Sequence, residues 1–290
     1  MNRQEAGLLL LTSHLGDPER KPLTGAQYWK LAKKILTLIP DEDRERDCDL
    51  LVSVGCSKPE AQQIMLLLSQ EELLETYLRK AARCHYGCLT RLNPEYPQHL
   101  LRVMGTHAPS VLWTWGDPSF FQKPLISLVG SRELQPQNHV FASLAGQEIA
   151  RQDFVLVSGG ARGADLTAQE GALALGGSCI VVLPDCFLGH RKDEHILYLC
   201  QDSFDLPFTA QRALSRNHLI HALGQITLVA QSSQGRGGTW AGVQANLQHH
   251  WSPVYCYQDG SPASQALFCQ GVAPIEKSML HHISELCGIN

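Results

Sequence analysis

Residues 156–185 read LVSGGARGADLTAQEGALALGGSCIVVLPD, and their pattern decides the fold class. An apolar run is followed by Gly159, Gly160 and Gly163, then by a segment with helical spacing, and then by a second apolar run. Short β-branched runs on either side of a helix indicate a βαβ unit with two parallel strands. The glycines, with Arg162 between them, stand where the first strand passes into the helix, which is where ligands approach such sheets.

The same alternation extends to both sides of this stretch. Helices are predicted at about 138–152, 164–175 and 239–250, because apolar residues recur there at helical spacing. The runs that predict strands are LISLVGS from 125, FVLVSGG from 154, SCIVVLPD from 178, ITLVAQSS from 226 and SPVYCY from 252. We therefore expect an α/β fold, a Rossmann-like parallel sheet sandwiched by helices.

The chain before residue 125 has a different sequence pattern. Residues 1–88 lack strand-like alternation, and Ser57 with Glu60 three residues later predicts a capped helix start. Residues 89–124 are rich in proline and contain the apolar run VLWTWG. The predicted organisation is a small helical N-terminal domain (1–88), a linker with an edge strand (89–124) and the Rossmann-like domain (125–290).

Composition restricts the function classes. The net charge of −4 and the pI of about 6.3 give no nucleic-acid signature for the whole chain, so a nucleic-acid site must be a local patch. The ten cysteines are scattered without paired zinc spacing, and we predict no metal site. No apolar stretch reaches the roughly 20 residues of a membrane span. We expect a cytoplasmic protein that does not contact a membrane.

Glycine-rich segments follow the predicted strands at three places: VGSR at 129–132, VSGGARGAD at 157–165 and SSQGRGGTW at 232–240. Glycine allows a ligand to approach the backbone, and the helix that follows presents unpaired N–H groups to an anion. The sequence therefore predicts one phosphate-sized anion site at a single edge of the sheet. The alternative is that each glycine only forms a tight turn. Asp165 is expected to cap the helix that follows it.

Arginines accompany these segments, and a guanidinium binds phosphate through two hydrogen bonds. Arg132 and Arg216 are the first candidates for ligand contact, and we expect their replacement by alanine to abolish binding with little loss of stability. The alternative interpretation pairs one or two of the arginines with Glu133 or Asp165.

The segments ISLVGSR, LVSGGARGADLTAQEGAL, CIVVLPD and LSRNHLIHALGQITLVAQSSQGRGGTWAGVQANL together resemble the DNA-processing protein family DprA/Smf. The resemblance covers roughly residues 90–275. It implies a pocket for the phosphates and bases of single-stranded DNA, no enzymatic activity, no cofactor, a homodimer and a RecA-type recombinase as partner. By position, the ligand-binding residues that it implies are Gly130, Ser131, Arg132, Ser158, Gly159, Gly160, Arg162, Gly163, Asp165, Arg216, Asn217, Gly237, Gly238 and Thr239.

The chain departs from the family pattern at several positions. His218 stands where the family has a second arginine, so the resemblance implies a phosphate contact that is missing or pH-dependent. Gly242 stands where the family tends to have threonine. The stretch between Asp185 and Arg216 contains no predicted strand.

Two other functions remain open. The same pocket could bind a free nucleotide as a signal. A lysine-decarboxylase-like nucleoside monophosphate hydrolase would need a glutamate after the last glycines, but Val243 and Gln244 stand there. Trp240 is a candidate for stacking on a base, or else packs on the sheet.

Overall fold

The computed structural model describes residues 1–38 and 47–288. The chain forms two compact units. Unit 1 comprises Met1–Trp113 with Gln201–Leu206, and unit 2 comprises Thr114–Cys200 with Pro207–Asn290. The sequence-based bounds at residues 88 and 124 remain a prediction of how the domains divide. None of the helices in the described part of the chain is long and apolar enough to cross a membrane.

Unit 1 is mainly helical. Ser57 and Glu60 form the predicted capping box, in which each side chain accepts a hydrogen bond from the other residue's backbone N–H. Among its core contacts, Tyr77 stacks on Phe204 with ring centroids 4.4 Å apart. The elements of this unit are α1 (Arg3–Thr12), α2 (Gly25–Leu38), α3 (Cys48–Ser53), α4 (Lys58–Leu68), α5 (Glu71–Arg83), β1 (Gly87–Thr90), α6 (Gln98–Met104) and β2 (Val111–Trp115, which ends in unit 2).

Unit 2 alternates strands with helices. Its strands are β3 (Leu125–Val129), β4 (Val155–Ser158), β5 (Ser178–Leu183), β6 (Ile196–Gln201), β7 (Ile226–Val229), β8 (Val254–Tyr257) and β9 (Ala273–Ile275). Its helices are α7 (Pro136–Arg151), α8 (Ala164–Leu173), α9 (Ala210–Leu223), α10 (Gly237–His249), α11 (Pro262–Phe268) and α12 (Ile283–Leu286).

The sheet of unit 2 is parallel, with the strand order β6-β5-β4-β3-β7-β8-β9. Every residue of β3 and β4 is buried, as expected for strands that helices cover on both faces. The chain proceeds outward from β3 to β6 and then returns to β7 on the other side of β3. The α/β Rossmann-like prediction is confirmed, and the order of the strands reverses between β3 and β7. Ligands bind such sheets at the carboxyl ends of the strands beside this reversal.

Two strands of this sheet were not predicted. β6 lies within the stretch between Asp185 and Arg216, where the sequence analysis expected no strand, and β9 has only three residues. β6 was overlooked because a 12-residue segment without a helix, 184–195, connects it to β5. The segment LSRNHLI lies inside the helix α9.

Candidate functional site

Three loops meet at the carboxyl edge of the sheet, after β3, β4 and β7. The backbone N–H of Ser131 donates to the carbonyl of Gln231 at 3.0 Å, and the N–H of Ala164 donates to the carbonyl of Ser131 at 3.1 Å. The Gln231 side chain accepts from the N–H of Gln135 at 2.8 Å. The first loop is therefore hydrogen-bonded to both of the others, and the three form one connected rim.

This rim encloses a cavity of about 950 Å³, within the size range of ligand pockets. α9 forms the remaining wall. Four of the predicted residues do not line it: Ser158, Gly159, Gly160 and Gly163. The predicted residues that line the cavity are Gly130, Ser131, Arg132, Arg162, Asp165, Arg216, Asn217, Gly237, Gly238 and Thr239.

The glycines of the first two loops allow close packing of protein against protein. A Cβ added at Gly130 would overlap the Ala164 side chain, and one added at Gly163 would overlap the backbone oxygens of Ser131 and Arg132. Gly163 also has a φ of +88°, which disfavours other residues. At these two positions the missing Cβ makes room for protein, and ligand contact by Gly130 and Gly163 stays a prediction.

Gly159 makes room for Arg216. A Cβ at Gly159 would overlap Arg216 Nη1 and come within 2.8 Å of Asp165 Oδ2. The Arg216 side chain is 8% exposed, and its Nη1 donates to the Val182 carbonyl at 3.2 Å. Its Nε is buried without a hydrogen-bond partner among the described residues. The β4 loop thus fixes a cation in the wall of the cavity with one donor group unused.

We expect Gly159→Ala to lower the free energy of unfolding by about 1–3 kcal/mol, as overpacking of a filled interior does. The added methyl group displaces the Arg216 guanidinium, so anion binding in the cavity should fall with it. Urea denaturation measures the first effect and a binding titration the second. Gly7→Ala on α1 is the matched control, because the space around that Cβ is open and the backbone there has no positive φ. Unchanged stability of the Gly159 variant would contradict the packing described here.

Asp165 holds the β4 loop rather than the helix it begins. Its Oδ2 accepts hydrogen bonds from the N–H groups of Gly159 at 3.1 Å and Ala161 at 3.2 Å. The N-cap of α8 is Gly163, and no side chain caps that helix, so the predicted capping role is wrong. Burial raises the pKa of the Asp165 carboxyl to about 6, although Arg216 and the two N–H groups act to lower it.

The other arginines of the rim are exposed. Arg162 pairs with Glu133 at 3.2 Å, which agrees with the alternative interpretation for that residue. Both side chains are largely in solvent, so the pair contributes little and leaves Arg162 able to exchange partners. Arg132 and Arg236 also line the cavity with exposed side chains.

The N-terminus of α10 lines the cavity and leaves its backbone accessible. Its N-cap, Arg236, makes no side-chain capping bond, so the first turn retains N–H groups without an intrahelical partner. A Cβ at Gly237 would meet open space, and one at Gly238 would meet only Asn217 Nδ2, at 3.0 Å. The side chain of Asn217 donates to the Gly238 carbonyl at 3.3 Å and thereby connects α9 to this turn. Here the glycines do leave the backbone accessible.

His218 does not supply a pH-dependent phosphate contact. Its ring lies 5.1 Å from that of Trp251, and it is not part of the cavity wall. Burial and the nearby His249 lower the pKa of His218. The departure at Gly242 has a packing reason, since a Cβ there would come within 2.8 Å of Nε2 of the buried His221.

Sequence reasoning missed part of the cavity wall. Phe208 and Leu214 line it with 55% and 43% of their side chains exposed. Exposed apolar residues beside an anion site are unusual, but exposure cannot be read from sequence. One sequence feature near Phe208 was available: Thr209 is a residue type that caps helices. It caps α9, so Phe208 stands immediately before that helix. Trp240, the predicted stacking residue, is half-buried on α10 and is not part of the wall.

The residues that the structure describes contain no group of three His, Cys, Asp or Glu side chains that could hold a metal ion. The wall of the cavity combines arginines, the carboxylates of Glu133 and Asp165, the N-terminus of α10 and an apolar patch. This combination suits a ligand with both negative charge and a flat apolar part.

The fold of the chain is similar to two solved structures of DNA processing protein A. The protein from Streptococcus pneumoniae aligns with a TM-score of 0.67 and 21% identity, over 87% of this chain and 95% of that one. The protein from Helicobacter pylori aligns with a TM-score of 0.57 and 21% identity, over 70% of this chain and 94% of that one. Identities this low show the shared fold alone.

No curated protein matches the sequence. The sequence does match the family described as DNA recombination-mediator protein A, over residues 87–282, and this match spans more than half of the chain. It includes β1, the three loops, α9 and the whole wall of the cavity. The protein belongs to the DNA recombination-mediator protein A family.

Proposed function

We propose that the protein binds single-stranded DNA in this cavity and acts in DNA processing for recombination or DNA uptake. The observation that carries the proposal is the connected rim, which brings Arg132, Arg216 and the uncapped start of α10 around one cavity. Family membership supports the DNA-processing role. The similar H. pylori protein is described for its single-stranded DNA binding mode.

The two sides of the cavity fit the two parts of a nucleotide. Arg132, Arg162 and Arg236 provide positive charge for phosphates. Phe208 and Leu214 provide an exposed apolar surface, on which an unpaired base can stack. Bases within a duplex are stacked on each other and unavailable, which favours single strands over duplex DNA.

The carboxylates of the cavity wall already have partners within the protein, which fits binding without catalysis. The wall contains Glu133, which pairs with Arg162, and Asp165, which holds the N–H groups of its own loop. Thr239, in the first turn of α10, is followed by Val243, whose side chain is fully buried, and by Gln244. Nucleoside monophosphate hydrolysis requires a carboxylate at this point, so we propose a non-enzymatic role.

The homodimer and the RecA-type recombinase partner are also part of the proposal, on the basis of family membership. Light scattering of the purified protein tests the dimer. Retention of the protein by an immobilised RecA-type recombinase, with and without single-stranded DNA, tests the partner.

A fluorescence anisotropy titration tests the proposed function. The ligands are a labelled oligothymidylate, the same sequence in a duplex, and thymidine monophosphate as competitor, each at several salt concentrations. We expect the oligothymidylate to bind best. The logarithm of its affinity should fall linearly with that of salt, with a slope of about −0.7 for each phosphate contacted.

A second outcome of the same titration favours the free-nucleotide sensor. The enclosed part of the cavity could hold a single nucleotide. The single-stranded DNA proposal would be overturned if thymidine monophosphate displaced the bound oligothymidylate at concentrations well below the dissociation constant of the oligothymidylate itself.

A further inference from the structure

A buried carboxyl group lies in the wall of a cavity that is otherwise suited to anions. Asp165 is 7% exposed and lines the cavity from the first turn of α8. Its Oδ2 is held by the N–H groups of Gly159 and Ala161. The carboxyl therefore cannot turn away from the cavity without releasing the β4 loop.

The charged groups that act on this carboxyl come from two elements. Arg216 of α9 attracts it most strongly, and Arg132 of the loop after β3 attracts it more weakly. Arg216 is in turn attracted by Asp185, from the loop after β5. The remaining charges of the cavity, on Glu133, Arg162 and Arg236, are carried by exposed side chains.

A bound anion changes this balance. A phosphate in the cavity would share the positive charge of Arg216 and Arg132 with Asp165. Two negative groups close together in a poorly solvated site oppose each other's ionisation, and the group with the higher pKa gains the proton. A phosphodiester remains ionised in neutral solution, so the proton must go to the carboxyl.

We propose that anion binding in this cavity is coupled to proton uptake by Asp165, so that the protein holds its ligand more tightly as the pH falls. This inference rests on the proposed function, since it assumes that an anion occupies the cavity. Nothing in the role of Asp165 as a support for its loop requires such a coupling.

The direction of the pH dependence, and the pH range in which affinity changes, follow from the pKa of the Asp165 carboxyl. In the free protein that pKa is raised to about 6, chiefly by burial, and a bound anion raises it further. Below the free pKa the carboxyl is already protonated and affinity is constant. Above it, affinity falls by at most about tenfold per pH unit until the pKa of the complex is passed.

The test compares the wild type with Asp165→Asn between pH 5.5 and 8.5 at constant ionic strength. The ligand is an oligothymidylate with a rhodamine label, because neither its phosphodiesters nor thymine takes up protons in this range. Asparagine keeps an oxygen that can accept from Gly159 and Ala161 but carries no charge. We expect the wild type to bind several-fold more tightly at pH 6 than at pH 8, and at most about 50-fold more tightly. The variant should bind equally well at both.

The variant also controls for the histidines of the chain, all of which remain in place. If the wild type and Asp165→Asn lose affinity equally as the pH rises, the inference is overturned. If the wild type binds no oligothymidylate at any pH, the proposed function fails instead. If the wild type binds with pH-independent affinity, only the coupling fails.

A second measurement needs no variant and covers the case in which asparagine disturbs the loop. Isothermal titration calorimetry of the wild type at pH 7, in two buffers of different ionisation enthalpy, counts the protons taken up on binding. We expect at least about half a proton per site. Equal heats in the two buffers would overturn the inference.

Discussion

Arg132→Ala is expected to weaken oligothymidylate binding by about 10- to 100-fold. The guanidinium is exposed at the rim of the cavity, and a hydrogen bond to a charged group contributes about 1.5–3 kcal/mol. Because the side chain lies in solvent, the free energy of unfolding should change by less than about 0.5 kcal/mol. Fluorescence anisotropy measures the affinity, and thermal unfolding measures the stability.

Arg102→Ala is the matched control for Arg132. Arg102 is an exposed arginine on α6 and is not part of the cavity wall. Its removal subtracts the same charge from the chain and should leave affinity within about twofold, since an exposed charge that makes no ligand contact is screened by salt. An equal loss of affinity in both variants would mean that net charge, rather than the cavity, determines binding.

Arg216→Ala is expected to have two effects, because the side chain is buried. It removes a cavity cation, and it leaves the Asp165 carboxyl without its strongest electrostatic partner. Removing one member of a buried charged pair costs about 3 kcal/mol or more at neutral pH. We therefore expect a melting temperature lower by about 10 °C, together with loss of oligothymidylate binding.

The pH dependence of this stability loss identifies its cause. Without Arg216 the pKa of Asp165 rises further, so the cost of ionising it is relieved as the pH falls through that value. The difference in melting temperature between the wild type and Arg216→Ala should thus be smaller at pH 5 than at pH 7.5. Arg216→Lys retains a charge and should regain most of the stability. A stability loss of the same size at both pH values would contradict the electrostatic explanation.

This expectation corrects the one drawn from sequence, in which both arginines could be removed with little loss of stability. The two residues look alike in the sequence, as arginines next to glycine- or asparagine-containing motifs. They differ in the structure because the space at Gly159 allows Arg216 to be buried, while the side chain of Arg132 is exposed at the rim of the cavity. Burial of a long side chain depends on such a tertiary contact, which no local pattern contains.

The sequence identified the part of the fold that local periodicity determines. The apolar runs from 125, 154, 178, 226 and 252 all contain strands, because a sheet covered on both faces requires continuous apolar residues. β6 was missed because its signal, ILYLCQ, follows a connection without a helix. β9, API, is too short for any periodicity to show.

The sequence also identified which loops form the candidate site, but not how they are built. The position of each loop after a strand was sufficient to predict one shared rim. The use of Gly130, Gly159 and Gly163 for packing could not be predicted, since a glycine looks the same in sequence whether its free space is filled by protein or by a ligand. Phe208 itself carries no motif. Thr209 beside it indicates the start of α9, but only the geometry of the wall shows that Phe208 lines the cavity.

The central claim is that the three loops form a single cavity for the phosphates of single-stranded DNA. A crystal structure of the protein with a short oligothymidylate tests it most directly. We predict phosphate oxygens within hydrogen-bonding distance of Arg132 and of the first N–H groups of α10, with a base against Phe208. An oligothymidylate bound elsewhere on the protein, with no phosphate in this cavity, would contradict the account.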